Sequence, residues 1–149
     1  MSTISSILSL FRENSQPGFR LFNGSEFANL VNLQFSTKLG ITASTTSTQA
    51  AATPLPSYLN RVDTSTGTNT DAVLLPQAIP GLSVVVDNNT ANTITVFGIA
   101  ANPVTGVGDT IAAHGSTSYA ATATGITMAT GIMSEFCCTE AGKWKQLNV

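Results

Sequence analysis

The sequence predicts a mainly β protein: a jelly-roll-like or β-sandwich body preceded by short N-terminal helices and an extended arm. Three observations predict it. From Leu59 onward, short runs rich in Val, Ile and Thr alternate with Gly-, Pro- and Asn-rich turns. Their spacing of about 8–12 residues is that of a sandwich rather than of βαβ units. Ahead of Gly40, apolar residues recur at helical spacing. Between these regions lies TASTTSTQAAATPLPS (Thr42–Ser57), which has no charge and no period. The expected organisation is therefore a helical anchor over 1–41, a Thr/Ala/Pro-rich arm over 42–57 and a β body over 58–149. The 149 residues suit one domain with an appendage.

The first helix is expected over residues 2–12. Ile4, Ile7, Leu8 and Phe11 fall on one face, and Ser2 or Thr3 can cap it. NSQPG (Asn14–Gly18) ends it, because proline lacks a donor and Gly and Asn favour turns. A second helix is expected from Ser25 to Leu39. Phe27, Leu30, Val31 and Phe35 form its stripe, and Gly40 sits where a helix-terminating glycine belongs. Two readings of the arm stand, a linker or a strap laid over a neighbouring subunit. Pro54 and Pro56 give its end an extended path.

Strands are then expected at Leu59–Asp63, Ala72–Leu75, Leu82–Asp87, Thr93–Ile99, Thr110–Ala112, Thr117–Ala121, Ile132–Thr139 and Trp144–Asn148. In Leu82–Asp87 and Thr93–Ile99 one face is apolar, while the other is rich in Thr and Val rather than charge. DNNTAN (Asp87–Asn92) is expected as a hairpin loop between them.

Composition narrows function more than any motif does. Charged residues make up 9% of the chain and the net charge is −2, against roughly 25% charged in an average domain. Six cations dispersed along the chain give no footprint for nucleic acid or anionic lipid. No run of about 18 apolar residues exists to span a membrane. Met1–Phe11 has no basic leader, so no secretory signal is expected. A surface this poor in charge suits burial against other chains, since obligate interfaces are depleted in charge.

The residues that could carry chemistry are few. His114 is the one histidine, and nothing in the spacing selects Asp63, Asp71, Asp87 or Asp109 as its partner acid. A zinc site needs about four ligands. His114, Cys137 and Cys138 supply three at most, and adjacent cysteines on a strand point to opposite faces. They are also poorly placed to bond each other. Trp144 is read as a core or interface residue, and NPVTGVGD (Asn102–Asp109) as a loop. NGS at Asn23 and NNT at Asn88 match glycosylation sequons without an expected role. No enzyme, cofactor, metal or small-molecule substrate is expected.

GFRLFNGSEFANLVN (Gly18–Asn32), NRVDT (Asn60–Thr64), TDAVLLPQAIPGLSVVVDNNTANTITVFG (Thr70–Gly98), GDTI (Gly108–Ile111) and FCCTEAGKWKQL (Phe136–Leu147) resemble a group of small tailed-bacteriophage structural proteins. The paired cysteines depart from the group's single one. The resemblance implies a virion protein, foremost a capsid decoration (cement) protein bridging capsomers. Its partners would be the major capsid protein and copies of itself, as trimer or dimer. The chain would be made in the host cytoplasm and end on the capsid exterior. A tail adaptor or short fibre is the alternative, and a carbohydrate- or receptor-binding module a further one. The expected assembly contacts are Ile4, Ile7, Leu8, Phe11, Phe19, Phe27, Leu30, Val31 and Phe35.

Overall fold

The computed structural model describes residues 36–67 and 71–148. The expected helix over 2–12, residues 25–35 of the second helix and all nine expected assembly contacts lie outside them.

The described body is mainly β, with ten strands in two sheets. They are β1 (Thr37–Thr42), β2 (Thr53–Pro54), β3 (Leu59–Thr64), β4 (Ala72–Leu74), β5 (Ser83–Asn88), β6 (Ile94–Phe97), β7 (Thr110–Ala112), β8 (Ile126–Met128), β9 (Met133–Glu140) and β10 (Lys143–Asn148). Sheet A runs β1-β3-β5-β9-β10-β7, and sheet B runs β2-β4-β6-β8.

From β1 to β6 the chain winds. Successive strands alternate between the sheets, and each lies parallel to the strand two before it. Leu59 registers with Thr37 on one side and Val85 on the other; Val73 registers with Thr53 and Val96. β8 and β9 then run antiparallel to β6 and β5 and stop the winding at that end. β10 turns back antiparallel on β9, and β7 pairs parallel with β10. This mixed pairing differs from the antiparallel ladders of the expected jelly roll, and DNNTAN is not a hairpin loop, since the strands it joins, β5 and β6, lie in different sheets. Strand spacing is the same whether a strand pairs with the next one or the next but one, so spacing could not distinguish them.

A parallel sheet is usually covered on both faces, and its strands read as continuous apolar runs. β5 follows this rule, with Val84, Val85 and Val86 all buried, and so does β6 along its whole length. The expected neutral outer face of β6 is therefore inside the protein. Val62, Val84, Val86, Phe136 and Trp144 of sheet A and Val73, Ile94, Val96 and Met128 of sheet B are fully or almost fully buried and supply the main core. A second cluster, Ala52, Ala72 and Phe97 with Leu74, lies along sheet B. Gly125 passes so close that an added Cβ would lie 2.8 Å from the Phe97 ring.

Several expectations change. Thr37–Leu39 is strand rather than helix, since Thr37 and Lys38 register with Leu59 and Asn60. Gly40 has a φ of +70°, but it forms a bulge in β1 rather than a helix end. The segment 42–57 is built into the body. Ala43 N–H donates to Thr64 O, Ser44 and Ala72 exchange backbone bonds, and Leu55 N–H donates to Leu74 O. Gln49 Nε2 reaches Gly98 O and Thr122 O. Thr117–Ala121 is not a strand, because Ser116 Oγ accepts from the Ser118 N–H and holds a turn there. β8 lies between the strands expected at Thr117–Ala121 and Ile132–Thr139, where none was expected.

Asp63 fastens three levels of the winding. Its carboxylate accepts from Gly40 N–H on β1 at 2.8 Å, from Arg61 Nε on its own strand at 2.7 Å and from Asn89 Nδ2 after β5 at 2.7 Å. The Asn89 amide and the Gly40 N–H, then Arg61, hold this exposed carboxyl below its usual range. A carboxyl depressed in the folded state stabilises above the unfolded value of 3.8, and that stability is lost as pH falls through the folded one. Asp63→Asn should melt lower than wild type at pH 7. The gap between the two melting temperatures should close as pH drops below 3.8 in a thermal-melt pH series.

Candidate interaction surface

The loops following β4 and β6 and the turn between β9 and β10 meet at one buried carboxylate, Asp109. Its Oδ2 accepts from Ala78 N–H at 2.7 Å, and its Oδ1 accepts from Asn102 Nδ2 at 2.7 Å. Asn102 is buried as well. Its Oδ1 accepts from Val104 N–H at 2.8 Å and from Gln77 Nε2 at 3.2 Å. Gly142 N–H donates to Ala78 O, and Gly142 O accepts from Thr110 N–H. Gly98 makes this approach possible, because an added Cβ there would sit 2.7 Å from Asp109 Cβ.

This network holds apolar side chains out in solvent. Ile79 is 45% exposed, Val104 71% and Val107 62%. Pro80 and Pro103 beside them are exposed too. In sequence, PQAIPG (Pro76–Gly81) and NPVTGVG (Asn102–Gly108) have the composition of turns, which masks these apolar tips. The signal available was β-branched residues inside segments where polar turn residues are the norm.

Charge is sorted between the two sheets. Among the described residues, the charged side chains that reach solvent are Lys38, Arg61, Asp63, Asp87, Glu135, Glu140, Lys143 and Lys145, and every one lies on a strand of sheet A. Asp71 and Asp109 are the only other Asp, Glu, Lys or Arg described, and both are fully buried. Sheet B and the described connecting loops therefore present no ionic side chain to water.

The candidate chemical residues are scattered. His114 is exposed just after β7, and its N–H donates to Gln146 Oε1 at 3.2 Å. Asp63 and Asp87 are on β3 and β5, and β9 and β10 separate β5 from β7. Three inter-strand spacings put about 14 Å between β5 and β7. Asp71 accepts from the Thr66 N–H and hydroxyl, so it and Asp109 are buried and already engaged. Both cysteines are free, with Cys138 buried and Cys137 half-buried. Burial pushes the Cys138 thiol up to about 11 and raises that of Cys137. Among the described residues no cluster of His, Cys, Asp or Glu is placed to hold a metal ion.

Trp144 is fully buried, as a core residue. Tyr119 is half-buried, with Lys143 Nζ 5.3 Å from its ring centroid and Lys143 paired with Glu140. What the arrangement offers is a contact surface of firm apolar loop tips, hydroxyls and amides, bordered at the β9–β10 turn by the Lys143–Glu140 pair.

No protein-family model matches the chain, and comparison with curated proteins and with solved structures gives no match.

Asp109→Ala would leave the Ala78 N–H unpaired in the interior and the Asn102 amide with only its long, 3.4 Å bond to Ala78 O. The expected cost is about 3 kcal/mol, read from denaturant unfolding. Proteolytic cleavage within 101–107 should become faster than in wild type.

Proposed function

We propose that the protein is a virion structural protein that works by adhesion, foremost a capsid decoration protein bridging neighbouring capsomers of a tailed-phage head. The observation that carries this reading is the confinement of solvent-reachable charge to sheet A. A surface of β-branched tips, threonines and amides is weakly hydrated and gains by being covered. Stacked as the two layers of a sandwich, the sheets would turn the charged strands to solvent and the uncharged ones to the particle.

Adhesion of this kind needs no catalytic group. Apolar surface contributes about 25 cal/mol per Å² buried, before the cost of association. One such contact is weak, and a symmetric lattice multiplies it. The expected anchor residues Ile4, Ile7, Leu8 and Phe11, with Phe19, Phe27, Leu30, Val31 and Phe35, would add apolar contacts from the N-terminal segment. The major capsid protein and copies of this chain are the partners proposed.

The test is binding of the purified full-length chain to heads of the phage that encodes it, stripped of this protein. Saturation at hundreds of copies per particle is the expected result. Affinity should not fall as salt rises, because uncharged contacts are not screened. Saturation at six or twelve copies would instead place the chain in the tail. Absence of binding would overturn both placements.

A further inference from the structure

We infer that the uncharged surface formed by edge strand β8, the loops that pack along sheet B and the loops following β4 and β6 docks a second copy of this chain. The inference deepens the adhesion reading by naming the surface and its occupant, yet it can be tested without any particle.

The first argument is the symmetry of self-association. Around a rotation axis each side chain near the axis faces its own copy. A lysine there meets a lysine and an aspartate meets an aspartate, and such pairs repel. A surface that self-associates is therefore best free of charge close to the axis. Among the described residues sheet A carries all eight solvent-reachable charged side chains, and the rest of the body carries none.

The second argument is hydrogen-bonding capacity. A carboxylate only accepts and an ammonium only donates, so neither can bond its own copy. Hydroxyls do both. The uncharged surface is supplied with them, with Thr46, Thr48, Thr124 and Thr127 all exposed. Thr127 lies on β8, the edge strand of sheet B.

The third argument is rigidity. Val104 and Val107 project from a loop closed by Asn102 N–H to Val107 O at 2.9 Å and Gly106 N–H to Asn102 O at 2.8 Å. A tip already fixed in shape loses little conformational freedom when a second copy covers it. Other occupants fit less well. Nucleic acid and anionic lipid require cations that this surface lacks. A glycan platform requires well-exposed aromatic rings, whereas among the described residues Phe97, Phe136 and Trp144 are buried, Tyr58 is half-buried and Tyr119 lies beneath Lys143.

The experiment is sedimentation velocity on the purified full-length chain from low to high micromolar concentration, in low and in high salt. Val104→Asp and Thr127→Asp each place a like charge on the proposed interface. Thr139→Asp, an exposed position on β9 of sheet A, is the control. Circular dichroism reports whether each variant is folded. The expected result is a wild-type oligomer that persists in high salt. A folded Val104→Asp or Thr127→Asp should weaken association tenfold or more, while Thr139→Asp leaves it unchanged. A monomeric wild type, dissociation by salt, wild-type association in both interface variants, or equal weakening by the control would overturn the inference. A monomer that still binds heads would overturn this inference alone and leave the adhesion reading in place.

Discussion

Parallel strands cannot be joined by a tight turn, so each level of this winding must cross to the other sheet and come back. Every crossing carries backbone N–H and C=O groups past a dry core, and those groups need partners. Buried Asn and Asp side chains supply them. Asn88, at the end of β5, is fully buried; its amide donates to Asn92 O, Met128 O and Ala129 O, and its Oδ1 accepts from the Thr90 N–H and hydroxyl. One side chain thus closes the loop after β5 and ties it to the end of β8 in the other sheet. Asn60 does the same for residues 57–60, Asp71 for the approach to β4, and Asp109 with Asn102 for the loops beyond β6. The NNT sequon at Asn88 is spent inside the protein on this task.

The same economy explains where charge can stand. Carboxyl side chains buried at a crossing must be hydrogen-bonded, and Asp71 and Asp109 each accept two bonds, because an unpaired buried polar group is costly. All other described charge sits on strands of sheet A, where Arg61 pairs with Asp63 and Lys143 with Glu140. These are exposed pairs of small energetic weight. Their consequence is geometric: one sheet is marked by charge, and the remaining surface is neutral and tipped with valines. A protein divided in this way is suited to being covered on one side, which is the physical content of the proposed adhesive role.

The β class and most strands were legible because β-branched runs between turn residues survive any topology. β3, β4, β5, β6, β7, β9 and β10 all fall within a residue or two of their expected bounds. The pairing was not legible. Val84-Val85-Val86, a run buried on both faces, was the available sign of a covered parallel sheet, but alternation was read into it instead. Thr37–Leu39 reads as helix in sequence because Gly40 fits a helix end as well as a bulge; the pairing with β3 and the Gly40 bond to Asp63, 23 residues away, distinguish the two. Residues 42–57 looked like an arm because their attachments are made by backbone and by Gln49, which leave no periodic pattern. Of the interaction surface, the absence of charge from 43–60 and, apart from Asp109, from 88–134 was visible in the sequence. Its confinement to one sheet required the strand order, and the apolar tips required knowing that the loops meet at Asp109.

The account rests on a neutral surface being hidden in the working state of the protein. An electron-microscopy reconstruction of the native assembly tests that most directly, by showing which sheet faces solvent. The account predicts that sheet B and the Val104–Val107 loop lie against neighbouring subunits while Glu135, Lys143 and Lys145 face outward. A fully occupied assembly in which the charged sheet is buried and the valine tips face water would contradict it.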